Sequence, residues 1–172
     1  MITRPETPDD FPRIYRLVKT AFEGEPHAEG DEQDFVERLR DSDDYIAALS
    51  LVTEICGRMV GHLMMIRLGP KAGPSGSASG VLLLAAVSVE LEWRNRGIGS
   101  RLIEEALRRA RSLGHGAVLV VGDPVFYQRF GFRSSIEFGI SNANGIEDQY
   151  VQALELTPGF LRGSGRSVSL PA

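Results

Sequence analysis

The stretch from Val87 to Ile103, VSVELEWRNRGIGSRLI, constrains this chain more than any other. An apolar run ends in a short basic turn that carries Gly97 and Gly99, and the turn opens directly into an amphipathic segment. Ile98, Leu102, Ile103, Ala106, Leu107 and Ala110 recur at the spacing of one helical face. Arg101, Glu104, Glu105, Arg108 and Arg109 occupy the other face, with Glu104 and Arg108, and Glu105 and Arg109, spaced to pair across one turn. Strand, glycine turn and helix in this order commit the segment to an α/β arrangement.

The turn has the chemistry of an anion site. The first amides of a helix lack partners within it and lie at the positive end of the helix dipole. Without side chains, Gly97 and Gly99 let a phosphate approach the backbone closely. Arg94 and Arg96 add positive charge. A P-loop would need a lysine and a Ser or Thr after its second glycine, and neither is present. A dinucleotide fingerprint would need a third glycine where Leu102 stands. What remains is Arg94-x-x-Gly97-x-Gly99 between a strand and a helix.

That pattern resembles the signature of the GNAT superfamily of acyl-CoA-dependent N-acyltransferases, Gln/Arg-x-x-Gly-x-Gly/Ala after the fourth strand. A second segment, Asp123-Pro124-Val125-Phe126-Tyr127-Gln128-Arg129-Phe130-Gly131-Phe132, resembles the family's fourth-helix motif, a tyrosine followed shortly by Gly-Phe. The two motifs stand in family order, one helix and one strand apart. The resemblance runs from Ile2 to Arg133 and is sharpest from Val87 to Phe132. Glu90-Leu91 stands where the family often has a proline.

The resemblance implies a single domain over 1–172: an α/β (α+β) fold with a central mixed, mostly antiparallel sheet, splayed between its fourth and fifth strands and flanked by about four helices. It implies acetyl-CoA as co-substrate and no metal. The amides of Asn95, Arg96, Gly97, Ile98, Gly99 and Ser100 would take the pyrophosphate, supplemented by Arg94 and Arg96. The backbone of Val87, Ser88 and Val89 would meet the pantetheine arm, and Phe126 and Tyr127 the thioester end. Tyr127 is the expected general acid, since a phenol with a pKa near ~10 stays protonated at neutral pH. Glu90 is the expected base. Glu92, Glu23, Glu25 and His27 are alternatives, and a water relay needs no single residue.

Elsewhere the chain is read element by element. Ile2-Thr3-Arg4 is a short strand. A helix begins at Pro8-Asp9-Asp10 with Thr7 as cap and carries Ile14, Leu17, Val18, Ala21 and Phe22; Gly24 to His27 break it. A second helix runs through Phe35, Val36 and Leu39. Tyr45–Val52 and Cys56–Leu68 form a hairpin turning within Glu54–Gly57, with Cys56 a small core or strand residue and His62 a satisfied strand histidine. Gly69 to Gly80 is a flexible loop. Val81–Val89 and Ala117–Val121 are buried strands, and the helix between them favours parallel pairing. Gly114 caps that helix. In the tail, Phe138–Ile140 and Val151–Leu156 alternate as strands around turn residues at 142–145. Gly159 onward finishes the sheet or covers the acceptor cleft.

Composition removes whole classes. A net charge of −4 argues against nucleic acid as a partner. No apolar run approaches a membrane span, and the first residues carry no signal core, so the expected compartment is the cytoplasm. One cysteine rules out an internal disulfide. The expected function is transfer of an acetyl group to an unidentified amine acceptor, with a silent acyl-CoA-binding module and an unrelated phosphate binder as alternatives. Dimers are common in the family, so a homodimer is among the expected assemblies.

Overall fold

The structure, a computed structural model, describes residues 1–23, 29–69, 80–163 and 167–171. The expected helix break at Gly24–His27 and nearly all of the Gly69–Gly80 loop lie outside these residues. The chain divides into two units, Met1–Ile66 with Ala85–Arg109, and Arg67–Leu84 with Ala110–Ala172.

The first unit is built on strands β1 (Ile2–Pro5), β2 (Tyr45–Ile55) and β3 (Arg58–Leu68), and on the second half of β4 (Val81–Val89), in the order β1-β2-β3-β4. β1 and β2 pair antiparallel from Ile2 opposite Glu54 to Pro5 opposite Leu51. β2 and β3 form the expected hairpin, with Val52 opposite His62 and Leu51 opposite Leu63. The turn between them is tighter than the sequence suggested. Only Cys56 and Gly57 lie outside the strands, both at positive φ, 50° and 78°. Cys56 is therefore an exposed turn residue, which corrects the core or strand placement.

Helix α1 (Phe11–Phe22) follows a 3-10 turn at Pro8–Asp10, one turn later than expected. Thr7 caps that turn as expected, and Asp10 closes a capping box with it: its carboxylate accepts from the Thr7 amide at 2.9 Å and the Thr7 hydroxyl at 3.0 Å. Ile14, Leu17, Val18 and Ala21 are buried, as the periodicity requires. α2 (Glu32–Arg40) carries Phe35, Val36 and Leu39 as expected, the last two buried. α3 (Ile98–Ser112) begins after the glycine turn, and all six residues of its predicted apolar face are buried. On its outer face Glu105 pairs with Arg109 at 2.7 Å, as expected, and also with Arg108 at 2.8 Å.

The packing of α3 depends on Gly61, which the sequence reading passed over. A Cβ there would lie 2.9 Å from Leu102 Cδ1 and 3.1 Å from Ile98 Cγ2, so only glycine lets the helix settle this close to β3.

In the second unit the order is β4-β5-β8-β6, with β5 at Ala117–Val121, β6 at Arg133–Ser134 and β8 at Val151–Glu155. β4 and β5 pair parallel from Val81 opposite Ala117 to Leu84 opposite Val120. The ladder ends there, and β4 itself continues to Val89. β8 runs antiparallel to both β5 and β6. Gly114 at φ 81° ends α3 as predicted. Phe138–Ile140 is not a strand: a 3-10 turn over Ser135–Phe138 ends at Gly139, φ 72°. Short β7 (Ser141–Asn142) pairs parallel with β9 (Ser167–Val168), so the tail forms a separate two-stranded sheet.

Candidate active site

The first unit carries the glycine turn. The Glu90 amide donates to the Val60 carbonyl at 3.0 Å, so β4 stays paired to its last residue. A 3-10 turn at Leu91–Trp93, not foreseen from sequence, then swings the chain away from the sheet. Asn95 sits at φ 59° and Gly97 at φ 77°. Asparagine tolerates the left-handed region better than most residues, and glycine enters it without strain. The first helical bond runs from the Arg101 amide to the Gly97 carbonyl at 3.0 Å. The amides of Ile98 and Gly99 therefore precede the helical ladder. Asn95, Arg96 and Gly97 are exposed, whereas Ile98 is buried and pins the helix start.

The two arginines differ in role. The Arg94 guanidinium donates to the Ala21 carbonyl in the last turn of α1. A cation suits that negative helix end, so Arg94 fastens the turn to α1. Arg96 lies over the Trp93 ring, 5.0 Å from its centroid. A Cβ at Gly99 would meet Val89 Cγ2 at 3.6 Å and Val87 Cγ1 at 3.9 Å, ordinary contact, while nothing lies within 4 Å of one at Gly97. The helix start thus rests on Val87 and Val89, both half-buried, and leaves room beside Gly97 for an anionic group.

Glu90 is engaged rather than free. Its carboxylate lies 2.7 Å from Arg58 Nη2, an ion pair without hydrogen-bond alignment, and the same guanidinium reaches Glu92 at 3.2 Å. Glu23 is exposed at the end of α1, and Glu25 and His27 lie outside the described residues.

The second unit carries the aromatic segment. Asp123 caps α4 (Pro124–Tyr127), accepting from the Val125 amide at 2.9 Å, as predicted. The Tyr127 ring stands edge-on to Phe126 and Phe132, with centroids 5.0 and 5.7 Å away. A Cβ at Gly122 would come within 2.4 Å of the Tyr127 ring, so Gly122 makes the space the tyrosine occupies. Its signal was a glycine directly after a five-residue apolar strand. The ring is half-buried, and burial pushes its phenol up to about 12, so it keeps its proton throughout the physiological range.

Among the described residues, no group of three or more His, Cys, Asp or Glu is placed to hold a metal, and no helix is long and apolar enough to cross a membrane.

A sequence model of the acetyltransferase (GNAT) domain matches residues 3–134. The chain belongs to the GNAT acetyltransferases. Among GNAT relatives it is similar to the N-acetyltransferase YhbS of Escherichia coli K12, 28% identical over 132 residues that cover 77% of this chain and 73% of YhbS. The crystal structure of E. coli YhbS in complex with CoA shares the fold at a TM-score of 0.85, with 24% identity over 99% of this chain and 89% of that one. A GNAT acetyltransferase from Brucella melitensis, in complex with acetyl-CoA, matches at 0.73, with 28% identity over 91% and 88% of the two chains. As a GNAT protein the chain is an acyltransferase. The open, exposed backbone at Asn95–Gly97, next to a helix start, fits the diphosphate of a ligand such as acetyl-CoA.

Proposed function

We propose that the chain, a single N-acetyltransferase domain over 1–172, moves the acetyl group of acetyl-CoA to a primary amine by direct attack in a ternary complex. The observation that carries this reading is the glycine turn. Asn95 and Gly97 hold left-handed conformations just ahead of the first helical bond from Arg101, which opens the backbone to a diphosphate. The amides from Asn95 to Ser100 bind it, and Arg96 adds charge. The backbone of β4 beyond Leu84, where the ladder to β5 has ended, supports pairing with the amide groups of the pantetheine arm at Val87, Ser88 and Val89.

Acetyl-CoA supplies an activated thioester when bound. The chain supplies orientation, a proton acceptor for the amine and a proton donor for the departing sulfur. Tyr127 is the proposed donor, on the strength of its motif position and its retained proton. Phe126 packs edge-on against it and is proposed to line the same end. Two groups compete for the amine's proton: Glu90 acting directly, and a relay through buried water. The engagement of Glu90 by Arg58 favours the relay.

The test is free-thiol release from acetyl-CoA over a broad panel of amines, with calorimetric binding of acetyl-CoA in parallel. Amine-dependent thiol release is the expected result. Binding without turnover across the panel would make the chain a silent acyl-CoA module. Displacement of CoA by ATP or NAD would overturn the assignment of the turn.

A further inference from the structure

The first unit buries a polar cluster that the family motifs do not contain. Glu6 lies just beyond β1 with its carboxylate sealed from solvent. It accepts from Arg40 Nε at 2.9 Å, from the Tyr45 hydroxyl at 2.9 Å and lies 3.0 Å from His62 Nε2. Burial alone would raise this carboxyl, but the bonds from His62 and Arg40 hold it down at about 2, so it is ionised at neutral pH. An ionised carboxylate only accepts, so Nε2 of His62 carries the hydrogen. In the neutral ring that leaves Nδ1 as a bare lone pair.

Nδ1 of His62 has no hydrogen-bond partner among the described residues, although the residue is fully buried. Ser88 Oγ is in the same position, in a residue 2% exposed. These two orphans are neighbours. The Glu90 amide donates to the Val60 carbonyl, and a Cβ on Gly61 would lie 3.4 Å from the Ser88 carbonyl oxygen; together these contacts fit an antiparallel pairing of the neighbouring strands β3 and β4 in which Ser88 stands opposite His62. Directly opposite residues share a face, with Cβ atoms about 4.5–5.5 Å apart. Two buried polar groups on one face of a strand pair, each lacking a partner, are what one water satisfies.

We propose that His62 and Ser88 bracket a buried water, and that Glu6, His62 and this water form the relay that takes the proton of the attacking amine. The inference rests on the acetyl-transfer reading above. As the C–N bond forms and the C–S bond breaks, the nitrogen's proton passes through water to His62 Nδ1. The resulting imidazolium is held by the Glu6 carboxylate, and Tyr127 protonates the departing thiolate. Ser88 is suited to the junction because it lies between Val87 and Val89, whose backbone is proposed to hold the pantetheine arm. His62 acts through water, so it is a positioning and relay residue. His62 meets Glu6 from the β1–α1 connection, and Arg40 from α2 and Tyr45 from β2 bind that same carboxylate.

The test has two arms. Nitrogen-15 NMR of histidine-labelled protein, assigned with His62→Gln, reads the tautomer without needing an acceptor. The expected result is the Nε2–H form with an unprotonated Nδ1; an Nδ1–H tautomer overturns the relay. In the kinetic arm, His62→Gln keeps a donor for Glu6 but has no basic nitrogen. It is expected to lower kcat by about tenfold or more, with the KM for acetyl-CoA within about twofold. Ser88→Ala, a milder change, is expected to lower kcat in the same direction and serves if His62→Gln fails to fold. Variants with unchanged kcat overturn the relay. An inactive wild type that binds acetyl-CoA defeats the acetyl-transfer reading instead, and the tautomer arm still stands.

Discussion

The Arg94 guanidinium donates to the carbonyl of Ala21, joining the glycine turn to the last turn of α1. The signature arginine is thereby a structural clasp as well as a charge. Lysine keeps the charge but loses the planar fork. Arg94→Lys is expected to cost about 1 kcal/mol, a fall of roughly 2–4 °C in Tm, and to weaken acetyl-CoA binding although the net charge is unchanged. Calorimetry and a thermal melt measure both. Binding at wild-type strength with a lowered Tm would show that the clasp serves folding alone.

The three glycines around α3 make distinct demands. At Gly97, φ 77°, alanine meets open space but adopts a disfavoured backbone, costing about 1–2 kcal/mol. At Gly99 the new methyl meets Val89 at an ordinary 3.6 Å, so Gly99→Ala is expected to leave Tm nearly unchanged. Its effect should fall on acetyl-CoA affinity. At Gly61 the methyl lands 2.9 Å from Leu102, and overpacking of this kind costs about 1–3 kcal/mol. Denaturant unfolding of the three variants should rank Gly61→Ala and Gly97→Ala well below Gly99→Ala.

Tyr127→Phe removes one hydroxyl and keeps the edge-on packing against Phe126 and Phe132. Turnover is expected to fall by about a hundredfold or more, with acetyl-CoA affinity retained. Because burial holds the phenol near about 12, the wild-type kcat should show no loss through its ionisation across the range in which enzymes are ordinarily assayed. A variant as fast as wild type would remove the proton-donor role.

Stability should fall in acid. Glu6 is lowered from 4.5 to about 2 in the folded protein. It therefore stabilises the fold above its unfolded pKa, and that contribution is lost as pH drops from 4.5 through about 2. Asp10, held first by Arg4, is lowered too and acts in the same direction. The Glu6 share is on the order of 3 kcal/mol. Glu6→Gln should flatten the acid limb of a plot of unfolding free energy against pH.

What could be read from sequence is what periodicity and backbone chemistry dictate locally. The face of α3, the cap at Asp123 and the stop at Gly114 each follow from a few adjacent residues, and each stands where expected. The family pattern located the turn and the tyrosine for the same reason. Gly61 and Gly122 escaped notice because their necessity comes from side chains distant in sequence, Leu102 and Ile98 in one case and the Tyr127 ring in the other. The cluster of Glu6, Arg40, Tyr45 and His62 was invisible because its members are up to 56 residues apart. The tail misled because alternation at Phe138–Ile140 is short, and the left-handed Gly139 breaks it.

Cys56, the chain's one thiol, stands exposed at the tip of the β2–β3 hairpin, where only two residues turn the strand back. A maleimide dye will therefore attach at a single defined position without any engineered cysteine. The native protein comes with its own spectroscopic handle, and fluorescence from it can follow ligand titrations before any acceptor is known.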